Sequence, residues 1–275
     1  MNDVVTIYLG SDPSDLERLA ARELHDYLAK LFGVMANTDQ SPDAEFTILI
    51  GDVASHRQHT GTEVMPALSD QGFVLRTAEV NGQPGLLVIG GSPVATLWGV
   101  YELVERLGVQ FTVNGDVLPA APRRFHIPKL DETHEPALRL RMWRQWNTHC
   151  FGPESWGLDE QRRFIDQLVK MKFNGILLNL WAPQPFVHFE FRDIKRNTAE
   201  LFRGIRFPTS PMIGRPCFGD ADQFVNPSMP PVGEYNDRLI AGRTYMHALM
   251  EYAHSRGMLC ALGFSITEFT DEFID

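Results

Sequence analysis

Between Arg139 and Cys150 the chain reads "RLRMWRQWNTHC", and positions 143 to 149 bring Trp143, Arg144, Gln145, Trp146, Asn147 and His149 together. Aromatic faces pack against the C–H bonds of a sugar ring, and directional donors and acceptors beside them fix its hydroxyls. The same residue types return twice more. Asn179 and Trp181 close "FNGILLNLW", and Thr267, Glu268 and Asp271 lie in "SITEFTDEF". Recognition of a polar ring is the chemistry this set suits. Cleaving a glycosidic bond asks for more: two carboxyl groups, about 5–5.5 Å apart for retention or about 6.5–9.5 Å apart for inversion. Glu268 is the carboxylate candidate, with Asp271 and Glu272 near it in sequence. For any single residue the plainer reading is a tryptophan plugging a cavity mouth or a polar group solvating a loop. Agreement between three groups favours a site. Arg203, Arg206 and Arg215 could clamp an acidic group such as a uronate carboxylate bidentately, or pair with Asp220 and Asp222 at the surface.

These residues need elements to hold them. In a (β/α) barrel, chemistry sits at the C-terminal ends of the parallel strands and in the loops after them. The pattern from residue 137 fits such units. The strand "LRLRMW" opens on alternating Leu138, Leu140 and Met142, and the helix "LDEQRRFIDQLVKMK" turns Phe164, Ile165, Leu168 and Met171 inward. The strand "FNGILLNLW" is apolar enough for burial on both faces. After a long irregular stretch come the helix "NDRLIAGRTYMHALMEYAHSRG", with Leu239, Met246, Leu249, Met250 and Ala253 inward and Gly257 as its stop, and the strand "MLCALGFS". All three candidate groups then follow strand ends on one rim. A complete barrel takes about 250 residues, more than this stretch offers, so the expectation is a truncated barrel of three strands.

The first part reads β-α-β-β-β-α. "VVTIYL" is a strand, followed by a helix with Ser11 or Asp12 as N-cap, Pro13 in its first turn and Gly33 as its stop. "EFTILIG", "GFVLRT" and "GLLVIGG" are strands, and "SPVATLWGVYELVERLG" is a helix with Leu97, Tyr101 and Val104 on one stripe. This predicts a small α/β sandwich over residues 1–118, a proline-rich linker over 119–136, and a partial barrel over 137–275.

Composition narrows the function classes. The 275 residues are 44% hydrophobic and 22% charged, which suits a globular chain with a sizeable core. A formal net charge of −10 argues against nucleic acid as partner. No apolar run reaches the roughly 18 residues of a membrane span, and "MNDVVTIYLG" lacks a basic start and an apolar core, so it reads as a strand and the expected location is the cytoplasm. Cys150, Cys217 and Cys260 are odd in number and far apart, so no disulfide framework is expected. "VIGGSP" has the spacing of neither phosphate-binding motif, and Gly90 and Gly91 are expected to serve a tight turn. His247, Glu251 and His254 share a helix face and His188 and Glu190 a strand face, but neither set follows a metal-ligand spacing, so no metal is expected.

Two segments also carry a resemblance. "LLVIGGSPVATLWGVYELVERLGVQF" resembles the last strand and helix of the accessory domain of certain glycoside hydrolases. "RLRMWRQWNTHCFG" with "LDEQRRFIDQLVKMKFNGILLNLW" resembles the first βαβ unit of their barrels. The families are the α-glucuronidases and the β-N-acetylhexosaminidases that place a small α/β domain ahead of a barrel. The resemblance implies an exo-acting enzyme on a terminal sugar, without a cofactor. It also implies that Arg139 or Arg141 matches the hexosaminidase arginine that holds sugar hydroxyls, while "WRQWN" is closer to the α-glucuronidase pattern. The catalytic carboxylates of these families lie on later barrel strands, so none is carried over.

Together these readings point to an α/β protein acting on a terminal uronic acid or N-acetylhexosamine of a glycan, with carbohydrate as its partner. Arg139, Arg141, Trp143, Arg144, Trp146, Asn147, His149, Asn179 and Trp181 are the expected sugar-contacting residues. The rival readings are a carbohydrate-binding or scaffolding module without catalysis, and a lyase or isomerase using Glu268 as base. An exposed barrel edge would also favour homo-oligomers.

Overall fold

The computed structural model describes residues 5–10, 12–38, 45–53, 65–80, 83–120, 124–146, 153, 156–180, 190–195, 226, 228 and 235–264. The chain forms two compact units. The first comprises Met1–Arg141 with Gln167–Lys172 and Ser255–Gly257, and the second the rest.

The first unit is a five-stranded mixed sheet with two helices. Strands β1 (Val5–Leu9), β2 (Phe46–Asp52) and β4 (Gln83–Gly90) run parallel, while β3 (Phe73–Val80) is antiparallel to both β4 and β7 (Asp131–His134). The sheet order is β1-β2-β4-β3-β7. Helices α1 (Asp15–Phe32) and α2 (Pro93–Arg106) pack on each other, and α2 lies on β2, β3 and β4. Leu24 and Leu28 of α1, with Leu97, Val100 and Val104 of α2, are fully buried. Each such side chain contributes roughly 1.5–3 kcal/mol through burial. Ile48, Leu49 and Ile50 of β2 and Leu86 to Ile89 of β4 complete the core.

Local chemistry sets the boundaries. Helix α1 begins at Ser14, not at the expected Ser11 or Asp12. Glu17 N–H donates to Ser14 Oγ at 3.2 Å and Ser14 N–H donates to the Glu17 carboxylate at 2.7 Å, a reciprocal capping box. Pro13 therefore precedes the helix. Gly33 ends it as expected, in the left-handed conformation with φ 68°. A Cβ at Gly90 would meet the backbone of Thr96, and one at Gly91 the Ser69 carbonyl, so both positions serve close backbone approach at the turn into α2.

The segment read as a linker contributes structure. Residues 131–134 form edge strand β7, and Glu135 accepts from Ser69 N–H at 2.9 Å and Ser69 Oγ at 2.6 Å. A hairpin, β5 (Gln110–Thr112) and β6 (Gly115–Val117), precedes it, turning at Val113 and Asn114.

Asp116 of that hairpin gathers Tyr27, Gln167 and Lys170, which donate at 2.5, 3.1 and 3.0 Å. Burial pushes the Asp116 carboxyl up. The hydrogen bonds from Tyr27 and Lys170 and the Lys170 charge outweigh it, so the group stays below the usual carboxylate range. Burial, reinforced by the Asp116 carboxylate, holds the Tyr27 phenol well above its ordinary value.

The second unit contains β8 (Met142–Trp146), α3 (Leu158–Lys170) up to Asp166, β9 (Gly175–Leu180), the hairpin β10 (Glu190–Phe191) and β11 (Ile194–Lys195), α4 (Tyr235–Ser255) up to His254, and β12 (Leu259–Phe264). The sheet order β12-β9-β8 is parallel throughout, with helices between consecutive strands. No closed barrel forms among the described residues. Strand β8 starts later than expected: Leu138 and Leu140 precede it and are 68% and 59% exposed. Strand β9 is buried on one face only, with Ile176, Leu178 and Leu180 inside while Leu177 and Asn179 are half-buried. Helix α4 buries Leu239, Met246, Leu249 and Ala253 as expected, and also Tyr245, whose hydroxyl donates to the Trp156 carbonyl at 2.8 Å. Gly257, at φ 74°, follows it.

Candidate functional site

Register places the candidate site on one face of the three parallel strands. Met142 and Leu259 flank Gly175, while Arg144 and Ala261 flank Leu177, and Gly263 lies beside Asn179. Side chains alternate along a strand, so these residues share the face opposite Ile176, Leu178 and Leu180. Near the C-terminal end of that face, Arg144 reaches Asn179. With the Asn179 amide oxygen turned toward it, Arg144 donates from Nη2 and, at 2.7 Å, from Nε. An Nε donor held by a neutral amide leaves the guanidinium charge unpaired by that contact, and Arg144 is exposed.

Gly263 makes room for this pair. A Cβ there would collide with the Asn179 side-chain amide. At the other end of the sheet, a Cβ at Gly175 would stand 3.0 Å from the Met142 Cε. The face therefore runs from an apolar floor to a polar rim, an arrangement able to hold a ring with hydroxyl or carboxylate substituents.

The expected residues divide sharply. Arg144 and Asn179 come together. Trp143 lies on the opposite face, with its ring edge-on to Phe164 of α3 at 5.8 Å and to Phe173 at 5.6 Å between centroids. It packs the strand to the helix. Arg141 precedes β8, at the end of the strand away from the rim. Its guanidinium donates to the Lys172 carbonyl at 2.8 Å, Gln71 Oε1 at 2.7 Å and the Leu138 carbonyl at 2.7 Å, and lies over the Trp98 ring. Burial alone lowers the Arg141 pKa. Arg139 is exposed and its carbonyl accepts from Gln71 at 3.0 Å. Asn147, His149, Trp181, Glu268, Thr267, Asp271, Arg203, Arg206 and Arg215 lie outside the described residues, as does the side chain of Trp146.

Sequence reasoning passed over Gly263, although a glycine near the end of a parallel strand signals close approach. It also passed over Gln145 and Gln161, both buried, with Gln145 Nε2 donating to Gln161 Oε1 at 2.5 Å.

One other cluster carries charge. Glu102, Glu132 and His134 place ligand-type atoms within 4.8 Å of one another. Arg106 Nη2 lies 2.8 Å from Glu102 and 3.0 Å from Glu132, and Lys172 Nζ lies 2.9 Å from Glu102. Two cations already neutralise the carboxylates, so the set reads as an ion-pair network. The exposed His247 and Glu251 of α4 pair at 3.2 Å. No helix among the described residues is long and apolar enough to cross a membrane.

Comparison with known proteins bears on the fold. Residues 4–103 match the family model for the glycosyl hydrolase family 67 N-terminus. No curated protein matches the chain by sequence. Among solved structures, a GH138 enzyme targeting pectin rhamnogalacturonan II aligns at a TM-score of 0.53 and 12% identity over 96% of this chain and 32% of that one. The Streptomyces plicatus N-acetyl-β-hexosaminidase aligns at 0.51 and 15% over 95% and 42%. A family GH115 4-O-methyl-α-glucuronidase with specificity for decorated arabinogalactans aligns at 0.50 and 18% over 66% and 26%. The chain thus spans between about a quarter and two fifths of the length of these enzymes. Residues 4–103 are thus similar to the glycosyl hydrolase family 67 N-terminus, and in its fold the chain resembles glycoside hydrolases that have an N-terminal domain.

Proposed function

We propose that this chain takes part in hydrolysing O-glycosyl bonds at a terminal uronic acid or N-acetylhexosamine of a glycan. The observation that carries this reading is the Arg144–Asn179 pair toward the C-terminal end of parallel strands, where Gly263 gives the Asn179 side chain its room. Arginine and asparagine offer directional donors and an acceptor for ring substituents, and the apolar residues deeper on the same face suit the C–H side of a sugar. The family 67-type N-terminus and the similar folds of a glucuronidase and a hexosaminidase support it. Asn147, His149 and Trp181 follow the same strand ends in sequence and are proposed to complete the rim, while Trp146 is the last residue of β8 and pairs with Leu178.

One observation favours a second reading, a sugar-binding module without catalysis of its own. Among the described residues, the inward positions 142, 144, 175, 177, 179, 259, 261 and 263 include no carboxylate, while hydrolysis needs two. Glu268 is then the remaining carboxylate proposal.

The test is to assay the purified chain on aryl glucuronide and aryl N-acetylglucosaminide, and to titrate the corresponding sugars by calorimetry. Cleavage of one aryl glycoside, lost in Glu268→Gln, supports the hydrolase. Binding without turnover supports the module. Neither binding nor turnover sinks both.

A further inference from the structure

The seam between β8 and α3 contains two polar residues where apolar ones would suffice. Gln145 is 2% exposed and Gln161 is fully buried. Gln145 donates to Gln161 at 2.5 Å, and Gln161 Nε2 donates to the Pro153 carbonyl at 2.6 Å. Gln145 Oε1 has no partner among the described residues. A partly satisfied buried amide is unfavourable against a packed methylene, so its position demands a reason.

That reason lies in the strand. Pairing of β8 with β9 steps from Arg144↔Leu177 to Trp146↔Leu178, which makes Gln145 the extra residue of a bulge. Bulges beside sites re-aim neighbouring side chains. We propose that the Gln145–Gln161–Pro153 chain is a positioning device. It pins the bulge to α3 and so holds Arg144, one residue earlier, on the inner face against Asn179. Without the pin, β8 can re-pair in a regular register, and a one-residue slip turns side chains to opposite faces. Gln145 and Gln161 touch no sugar in this scheme and act through Arg144. The sugar-affinity arm of the test rests on the proposed function; the spectroscopic arm does not.

The experiment uses the full chain with ¹⁵N-labelled arginine. The Nε–Hε signal of Arg144, assigned by its loss in Arg144→Lys, reports the bond to Asn179 and should vanish in Asn179→Ala. Gln145→Met and Gln161→Met keep side-chain volume and remove the amides. In either variant that retains the parent's circular dichroism, the Arg144 signal should broaden or disappear, and affinity for methyl glucuronide or N-acetylglucosamine should fall about tenfold, roughly 1.4 kcal/mol. Persistence of the Arg144 signal in a folded Met variant overturns the proposal, and the second variant decides if the first does not fold. If the signal responds as expected while the parent binds neither sugar, the positioning role stands and the sugar reading falls.

Discussion

At the scale of single residues, two substitutions on the strands that flank β9 separate packing from the proposed recognition. Trp143 is wedged between Phe164 and Phe173 behind the sheet, so Trp143→Ala removes a ring from the interior. Fully buried aromatics cost about 3–5 kcal/mol on truncation to alanine, and this half-buried one should cost roughly 2–3 kcal/mol in urea unfolding. A sugar-stacking tryptophan would instead leave stability nearly unchanged and abolish binding. Gly263→Ala makes the opposite case. Its new methyl drives into the Asn179 amide, so sugar affinity should drop at least tenfold in calorimetry while the thermal midpoint moves by only a few degrees. Unaltered affinity in Gly263→Ala would remove Asn179 from the site. Arg144 and Asn179, expected on one rim, do lie on one face of neighbouring strands β8 and β9, and their role in recognition is the proposal. Trp143 was misleading because its composition suggested a site, whereas period-two alternation puts it on the helix side with Gln145.

At the scale of elements, amphipathic spacing carries α1, α2 and α3 almost unaided, and the apolar strands of the first sheet likewise. Three features escaped. The N-cap is Ser14 because only there does a glutamate follow three residues later, a signature present in "SDLE". Strand β7, "DETH", has no apolar alternation. It exists because β3 offers it an edge, and tertiary pairing is invisible in four polar residues. Hairpin β5–β6 did have a local signal, the Asn114–Gly115 pair.

The Asp116 cluster of that hairpin makes a pH prediction. Its carboxyl is held below the ordinary range, so the folded form binds its proton less readily than the unfolded chain. The associated stability is fully present above about pH 4, the unfolded carboxylate value, and is lost as pH falls through the lower folded value. Urea midpoints measured downward from pH 6 should therefore decline more steeply for the parent than for Asp116→Asn, and the two slopes should coincide if the cluster contributes nothing.

At the scale of the whole molecule, β8 and β12 each pair on one side only among the described residues, and Leu259, the first residue of β12, is 52% exposed. Unpaired strand edges with apolar neighbours recruit further strands. Multi-angle light scattering at micromolar concentration should show species larger than one chain, and Leu259→Lys should shift the population toward the monomer. A parent that is monomeric throughout this range would count against the edge as an association surface.

The first unit is discontinuous along the chain, and this has a consequence for how it is made. Asp116 waits for Gln167 and Lys170, which lie 51 and 54 residues downstream, and Glu105 and Arg141 likewise find Lys172 67 and 31 residues later. On a ribosome adding about 5–20 residues per second, the sheet and both its helices are complete several seconds before these partners emerge. During that interval the nascent unit holds a half-buried carboxylate and a stacked guanidinium without their final neighbours, a state in which chaperone capture or proteolysis competes with closure. The order of synthesis thus makes the end of α3, and after it Ser255–Gly257, late additions to the first unit.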